Sequence, residues 1–327
     1  MASNSEAATP AKPIHVRAIH PDRDAQFQAV AAKRKDIKEV KSNFKTACTH
    51  CLKTHSNSDK GLLRCSKCKG VWYCSKECQK ANWPQHKSYC SPVEGSGILK
   101  LAQSFLANEV IQFYLQVCLI FEFDLLKHPN PQKPFMARFD VGIEPTNIVE
   151  FFALFDPESA AAPPPKKMEG MFQLHMLTAD RSGTPLTDKR IATWKHYRQA
   201  MNKAGQEGDP LGLIEMVKDS PHSLTMPVHI QKGAMEFARK GEPFEKTSAV
   251  TGQTEIIPLS ADSCIEYINL HIRQDVHNQI LLRTDMLEAD KELIRAAARG
   301  ETRHAVLALK KKMERESIYK PIHALAF

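Results

Sequence analysis

Eight side chains able to hold a soft metal ion crowd into one short stretch: Cys48, Cys51, Cys65, Cys68, Cys74, Cys78, His86 and Cys90. They fall into four close pairs: Cys48-x2-Cys51, Cys65-x2-Cys68, Cys74-x3-Cys78 and His86-x3-Cys90. Thiolate sulfur and imidazole nitrogen are what zinc takes, four per ion in a tetrahedron. Four pairs therefore suit two closed sites. A C-x2-C pair curls around one ion through a tight turn, and a pair four residues apart lies on one face of a helix. A site closed by four protein ligands leaves no position for water, so its zinc is structural rather than catalytic. Spacing alone permits either a sequential or an interleaved pairing. The stretch is too short to bury a core of its own, so the metal must supply its folding energy, about 10–16 kcal/mol per structural zinc in small finger peptides.

Of the nine cysteines, only Cys118 and Cys264 lie elsewhere. Both fall in predicted helices and read as inert core thiols. A disulfide framework suits small secreted proteins, whereas this chain has 327 residues and no signal-like apolar run between Met1 and His20. The expectation is an intracellular protein, nucleus and cytoplasm undistinguished, whose clustered cysteines bind metal. The longest uncharged apolar run, Val110 to Phe121, falls short of the roughly 20 residues of a membrane span, so no membrane partner is expected.

The net charge of +8 is unevenly placed. Residues Ala31 to Cys90 hold fourteen Lys/Arg against four Asp/Glu, a net of +10, so the rest of the chain is slightly acidic. The basic character belongs to the cysteine-rich module and the segment before it, which favours acidic partners, protein or nucleic acid.

The run Trp72-Tyr73-Cys74-Ser75-Lys76-Glu77-Cys78-Gln79, continued by Trp83-Pro84-Gln85-His86-Lys87-Ser88-Tyr89-Cys90, completes a pattern of C-x2-C, C-x2-C, Y-C-S-x2-C-Q and W-x2-H-K-x2-C. In this pattern the module resembles the MYND-type zinc finger over residues 48–90. The departure is a long Cys51–Cys65 gap, which leaves the ligands intact. The resemblance implies interleaved pairing, with Cys48, Cys51, Cys74 and Cys78 on one ion and Cys65, Cys68, His86 and Cys90 on the other. It also implies a protein-interaction module, with Ser66, Gln79 and Trp83 lining a shallow groove for short proline-containing peptides. The chemistry suits that role: Trp83 offers a flat apolar face to proline and Gln79 can pair with a peptide backbone. Some proteins with this finger are lysine methyltransferases whose SET domain surrounds it. The Asn-His-Ser-Cys stretch and Gly-Glu-Glu turn that such a domain needs are missing from 98–327.

The elements that carry the module follow from patterning. Residues 1–21, rich in Ala, Ser and Pro, read as disordered. Segment 22–47 reads as one basic amphipathic helix, about Asp22 to Phe44, with Phe27, Val30, Ile37, Val40 and Phe44 on its apolar side. After a Ser-Pro-Gly linker at 91–97, the segment Ile98–Leu126 predicts one largely buried helix. Strands are expected at Phe135–Val141, Ile148–Phe155 and Met171–Leu177, with Pro163-Pro164-Pro165 in an exposed loop between the last two. That triplet suits the peptide groove of its own or a second chain. A helix is expected at Thr187–Lys203, a strand and helix within Leu211–Arg239, and helices at Ala261–Leu287, Ala289–Arg299 and Thr302–Glu314. The run Lys310-Lys311-Lys312 closes the last of these, where cations suit the helix dipole and a nuclear signal would fit.

The whole reads as an α+β protein: a two-zinc finger preceded by a basic helix and followed by a helix-rich α+β domain, 98–327. No catalytic motif appears there, and the histidines, among them His175, His271 and His277, are scattered. The chain therefore reads as a zinc-dependent adaptor that takes a proline-containing segment of a protein partner. The alternatives are a nucleic-acid-associated regulator using its lysines on phosphates, and an enzyme of unmarked type in 98–327.

Overall fold

A computed structural model of the chain describes residues 23–43, 48–51, 53, 61–68, 71–90, 97–158, 163–179, 186–218, 223–247 and 253–319. The expected disordered start, most of the Cys51–Cys65 loop and the linker after Cys90 lie outside the described residues.

The single basic helix expected at the front is instead two, α1 (Arg23–Val30) and α2 (Arg34–Asn43). The break at Ala31–Lys33 lets Phe27, Ala32 and Ile37 all reach the main core. Two bonds join the break to the body: Gln279 Nε2 donates to the Ala32 carbonyl (3.2 Å), and Arg34 Nη1 donates to the Asn278 carbonyl (3.3 Å). Arg23 Nη2 adds a 2.7 Å bond to the Arg273 carbonyl. This arm is therefore part of the body's packing, while the finger keeps a small core of its own around Tyr73 and the cysteines.

The finger comprises β1 (Leu63–Arg64), β2 (Trp72–Tyr73) and α3 (Lys76–His86), with a 3-10 turn at Lys87–Tyr89. It is inserted between α2 and α4 (Gly97–Leu106), which pack against each other. Lys41 Nζ ties the two, donating to Ser104 Oγ (2.6 Å) and the Lys100 carbonyl (3.2 Å).

The long buried helix predicted at 98–126 is also two, α4 and α5 (Glu109–Glu122), bent 79° apart. Asn108 causes the bend. Its buried side chain accepts the N–H groups of Val110 and Ile111, a helix start that interrupts the chain where apolar patterning alone runs on. No single helix among the described residues is long and apolar enough to cross a membrane.

Next come β3 (Met136–Pro145), α6 (Ile148–Phe155) and β4 (Glu169–Ala179). Ile148–Phe155 was expected as a strand and is a helix. A short run rich in aromatic and β-branched residues has no decisive period. The Asn147 side chain caps Val149 N–H at 3.1 Å, and Phe151 stacks on Phe155 one turn later. Helix α7 (Asp188–Lys203) leads to β5 (Leu211–Val217), β6 (Ser223–His229) and α8 (Lys232–Lys240). The hairpin β7 (Phe244–Thr247) and β8 (Thr254–Ile257) precedes α9 (Ala261–Gln274), β9 (Arg283–Asp285), α10 (Glu288–Ala298) and α11 (His304–Arg315), with a 3-10 turn at Ser317–Tyr319. The predicted helix 261–287 thus ends at Gln274, where the Asp275 carboxylate turns the chain by accepting Gln279 and Ile280 N–H.

The central sheet runs β6-β5-β3-β4-β9, antiparallel except for the β3–β5 pair. Along β5, Leu211 and Leu213 face α7 in a small cluster with Trp194, while Ile214 and Met216 face the main core. This is the two-residue alternation of a strand covered on both sides. Helices α9 and α11 pack against β4, and α5 packs against α9. There Cys118 and Cys264 are fully buried, their thiols pushed up by burial, Cys264 to about 12.

At the centre of the body lies a charged cluster. Lys312, read from sequence as the last of a lysine run at a helix end, is completely buried. Its Nζ donates to Glu144 Oε1 (2.6 Å), Gln173 Oε1 (2.8 Å) and Tyr319 Oη (3.1 Å). His175 and Arg273 also approach the Glu144 carboxylate, at 3.0 and 3.5 Å, and Tyr319 Oη donates to it. The His175 ring lies so close over Gly142 that an added Cβ would sit 2.2 Å from it. Burial disfavours charge on Glu144, but Lys312, His175 and Arg273 outweigh it and hold its carboxyl well below the usual range. The three lysines are therefore not one solvent-facing run, because the third is locked inside.

Candidate metal centre

The strand pair β1–β2 builds the first half of the finger. Leu63 pairs with Tyr73 and Arg64 with Trp72, and the Arg64 guanidinium lies 4.1 Å over the Trp72 ring. Between the strands, the turn at Cys65–Cys68 presents two thiols inward, its base closed by Cys65 N–H on the Val71 carbonyl (3.1 Å). The Cys48 end is pinned alongside, with Thr49 N–H on the Trp72 carbonyl (2.7 Å) and Cys48 N–H on the Lys53 carbonyl (2.9 Å).

Helix α3 builds the second half. Ser75 caps it, its hydroxyl accepting Cys78 N–H at 3.3 Å. Cys78, Asn82 and His86 recur every four residues and share one face. Cys74 and Cys90, read from sequence as helical partners of Cys78 and His86, lie outside the helix. Cys74 sits in the bend before the cap, and Cys90 follows the 3-10 turn. The ends of the helix, rather than one continuous face, bring each pair together.

Two groups of four result. The ligand atoms of Cys48, Cys51, Cys74 and Cys78 all lie within 4.8 Å of one another, as do those of Cys65, Cys68, His86 and Cys90. The pairs are therefore interleaved, first with third and second with fourth. Nearest separations are 3.6 Å for Cys51–Cys74, 3.4 Å for Cys74–Cys78, 3.7 Å for Cys65–Cys90, and 3.4 Å from Cys68 Sγ to His86 Nε2. Sulfurs bound at about 2.3 Å around a tetrahedral zinc stand roughly 3.8 Å apart. A disulfide needs about 2.05 Å. The donor set and its spacing fit zinc and exclude cystine.

The thiols within each site differ. At Cys48, burial opposes ionisation, but the backbone N–H groups of Cys51, Cys74 and His50 outweigh it and bring the thiol down to about 6. At Cys65, burial is again outweighed, by Cys68 N–H and the His86 imidazole, with the same result, about 6. Cys74 is pushed up to about 12, chiefly by the adjacent Cys78 thiol, and Cys90 to about 11 by burial and Cys65. Sulfurs this close cannot all be anionic alone. A divalent cation in their midst supplies the missing charge, which couples metal binding to proton release. Zinc there links the strand pair to the helix and performs no chemistry, as every ligand position is taken by protein.

Sequence reasoning missed the finger's internal pin. Tyr73 is fully buried, and its hydroxyl donates to Asn82 Oδ1 at 2.9 Å. Its place beside a ligand gave no hint of that partner nine residues on. Of the three groove residues, Ser66 is exposed between two ligands, Gln79 is half-buried, and Trp83 is 42% exposed. The Trp83 indole and the ring of the ligand residue His86 meet edge to face, with centres 5.8 Å apart.

Comparison with known proteins divides the chain in two. The MYND finger family matches residues 48–90, which marks this module as a zinc-binding interaction finger. Human N-lysine methyltransferase SMYD2 is 44% identical over 46 residues, 14% of this chain and 10% of that protein. The Xenopus laevis N-lysine methyltransferase SMYD2-B is 50% identical over 57 residues, 17% and 12% respectively. Mouse Tudor domain-containing protein 1 is 50% identical over 36 residues, 11% and 3%. The chain thus spans about a tenth of the methyltransferases it resembles. No solved structure matches the chain. A second family, described as domain of unknown function DUF8205, matches residues 94–319, most of the chain. The protein belongs to that DUF8205 family and carries a MYND finger ahead of its family domain.

Proposed function

We propose that the protein is a zinc-dependent adaptor whose finger captures a short proline-containing segment of a protein partner. The observation that carries this reading is Trp83, a large aromatic held 42% exposed on a helix pinned at both ends by ligand residues. Gln79 stands one turn before it on α3 and offers both a donor and an acceptor to an extended peptide. A proline-rich segment is already near its bound shape, so a shallow rigid face suffices to hold it. The thiols require a reducing compartment, so the reading places the protein in the nucleus or cytoplasm.

The exposed Lys53, Lys67, Lys76, Lys80 and Lys87 of the finger support a second reading, contact with nucleic-acid phosphates. The methyltransferase activity in the relatives' names belongs to those proteins. The stretch shared with them is the finger, so the adaptor reading does not borrow it.

The test is a peptide titration followed by fluorescence anisotropy on the zinc-loaded chain. Trp83→Ala should keep two zincs per chain and weaken a proline-containing peptide about tenfold or more. Equal affinity in both proteins would sink the groove. Nucleic-acid binding that falls steeply with salt, with no peptide bound, would favour the second reading.

A further inference from the structure

The two ligand groups hold the same number of donors but stand differently toward solvent. Cys65, Cys68, His86 and Cys90 are all buried, none more than 6% exposed. In the other group Cys48 is fully buried, Cys74 and Cys78 are half-buried, and Cys51 is exposed. A reagent in solution therefore meets the Cys51 sulfur first.

Charge separates the groups as well. Around a divalent cation, four thiolates leave two negative charges uncompensated, whereas three thiolates and a neutral imidazole leave one. The sulfurs of the first group are thus richer in electrons as well as easier to reach. Oxidation of cysteine follows these two properties, thiolate character and exposure. A second sulfur stands ready beside the first, because Cys74 Sγ lies 3.6 Å from Cys51 Sγ. Cys65 and Cys90 are nearly as close, at 3.7 Å, but both are buried, so proximity without access gives them no such chemistry.

We propose that Cys51 is the finger's oxidation site, where hydrogen peroxide converts Cys51 and Cys74 to a disulfide and the first group gives up its ion while the second stays loaded. The Cys51 thiolate attacks the peroxide, breaks its O–O bond, expels hydroxide and becomes a sulfenic acid. The Cys74 thiolate then attacks that sulfur, forming the S–S bond and expelling a second hydroxide. Two electrons pass from the sulfurs to the peroxide, and the two hydroxides take protons from solvent to become water. With two of its four ligands in a disulfide, the first group no longer closes around a cation. Tyr73 Oη on Asn82 Oδ1 (2.9 Å) still joins β2 to α3, and the buried group still ties the Cys65–Cys68 turn to the end of that helix. What comes loose is the Cys48–Cys51 end and the start of α3. The oxidation site stands whether or not the finger captures a peptide.

The experiment adds one equivalent of hydrogen peroxide to the zinc-loaded full chain, follows free zinc with a chromogenic indicator, and maps trapped cysteines by mass spectrometry. Expected is release of one zinc per chain, a cross-linked Cys51–Cys74 peptide, and Cys65, Cys68, Cys90, Cys118 and Cys264 still reduced. The second zinc should follow about tenfold more slowly, or stay bound. A thiol reductant with added zinc should restore the starting protein. Cys51→His keeps four ligands but removes the attacked sulfur, so it should hold two zincs and release the first about tenfold more slowly than the parent. Should that variant bind a single zinc, the order of modification in the parent decides alone. Both zincs leaving together, a first modification at Cys65, Cys68 or Cys90, a disulfide that omits Cys51, or a two-zinc Cys51→His protein with the parent's release rate would each overturn the proposal.

Discussion

Inside the finger, Tyr73 Oη donates a 2.9 Å hydrogen bond to Asn82 Oδ1, joining the end of β2 to the middle of α3 between the two ligand groups. Tyr73→Phe leaves the Asn82 oxygen buried without this donor, a cost of about 1–3 kcal/mol. Because folding and metal binding in such a module are one process, the loss should emerge as weaker zinc binding, about tenfold or more. Competition with a chromogenic chelator measures it. Zinc affinity equal to that of the parent would show that the pin is dispensable.

Cys74→Ser removes one of four ligands from the first site. Zinc content should fall below two per chain, and the amides of 71–90 should lose protection. The finger's core is a cluster separate from the body's, so the body's main thermal transition should stay in place. Two zincs retained, measured by elemental analysis, would contradict the assignment of Cys74.

Lys312 and Glu144 are both fully buried and 2.6 Å apart. Removing one partner leaves the other a buried charge without its shortest ion pair, so Glu144→Gln or Lys312→Met should each cost about 3–5 kcal/mol. Losing both together should cost less than the sum, because neither charge is then abandoned. Denaturant unfolding of the four proteins gives the coupling directly, and simple additivity would refute it. Glu144 is depressed in the fold, so its contribution is complete above the unfolded carboxyl value near 4.3 and fades as pH falls below it.

His271 is buried against Phe27, ring centres 5.1 Å apart, and its Nε2 has no partner among the described residues. Burial pushes its imidazole down to about 4. The unfolded value is near 6.5. A depressed pKa means that stability is complete above 6.5 and declines as pH falls toward 4, by up to about 1.4 kcal/mol per pH unit. His271→Phe should flatten the stability profile in that window. A variant with the parent's slope between pH 6.5 and 4 would assign the acid sensitivity elsewhere.

The two ligand groups were legible because zinc imposes a strict spacing on a handful of residues, and that spacing survives in one dimension. Their pairing was open on spacing and came from the family pattern. Strands β3 and β4 and helices α7, α10 and α11 lie within a few residues of where the sequence placed them. Ile148–Phe155 was not legible, since apolar residues on every side of a short run erase the period that separates helix from strand. The breaks at Ala31–Lys33 and Asn108 were hidden for other reasons. The first depends on Gln279, 247 residues away in the chain, whereas Asn108 caps its own helix locally and was overlooked because the apolar run continues through it. Lys312 was misread for the cause that hid the first break: its charge looks like solvent-facing charge until Glu144, 168 residues away, is placed beside it.

Lys41 clamps the helix that leads into the finger to the helix that leads out. The helix that enters the finger and the helix that leaves it are thus held side by side, so the module is anchored to the body at both of its flanks.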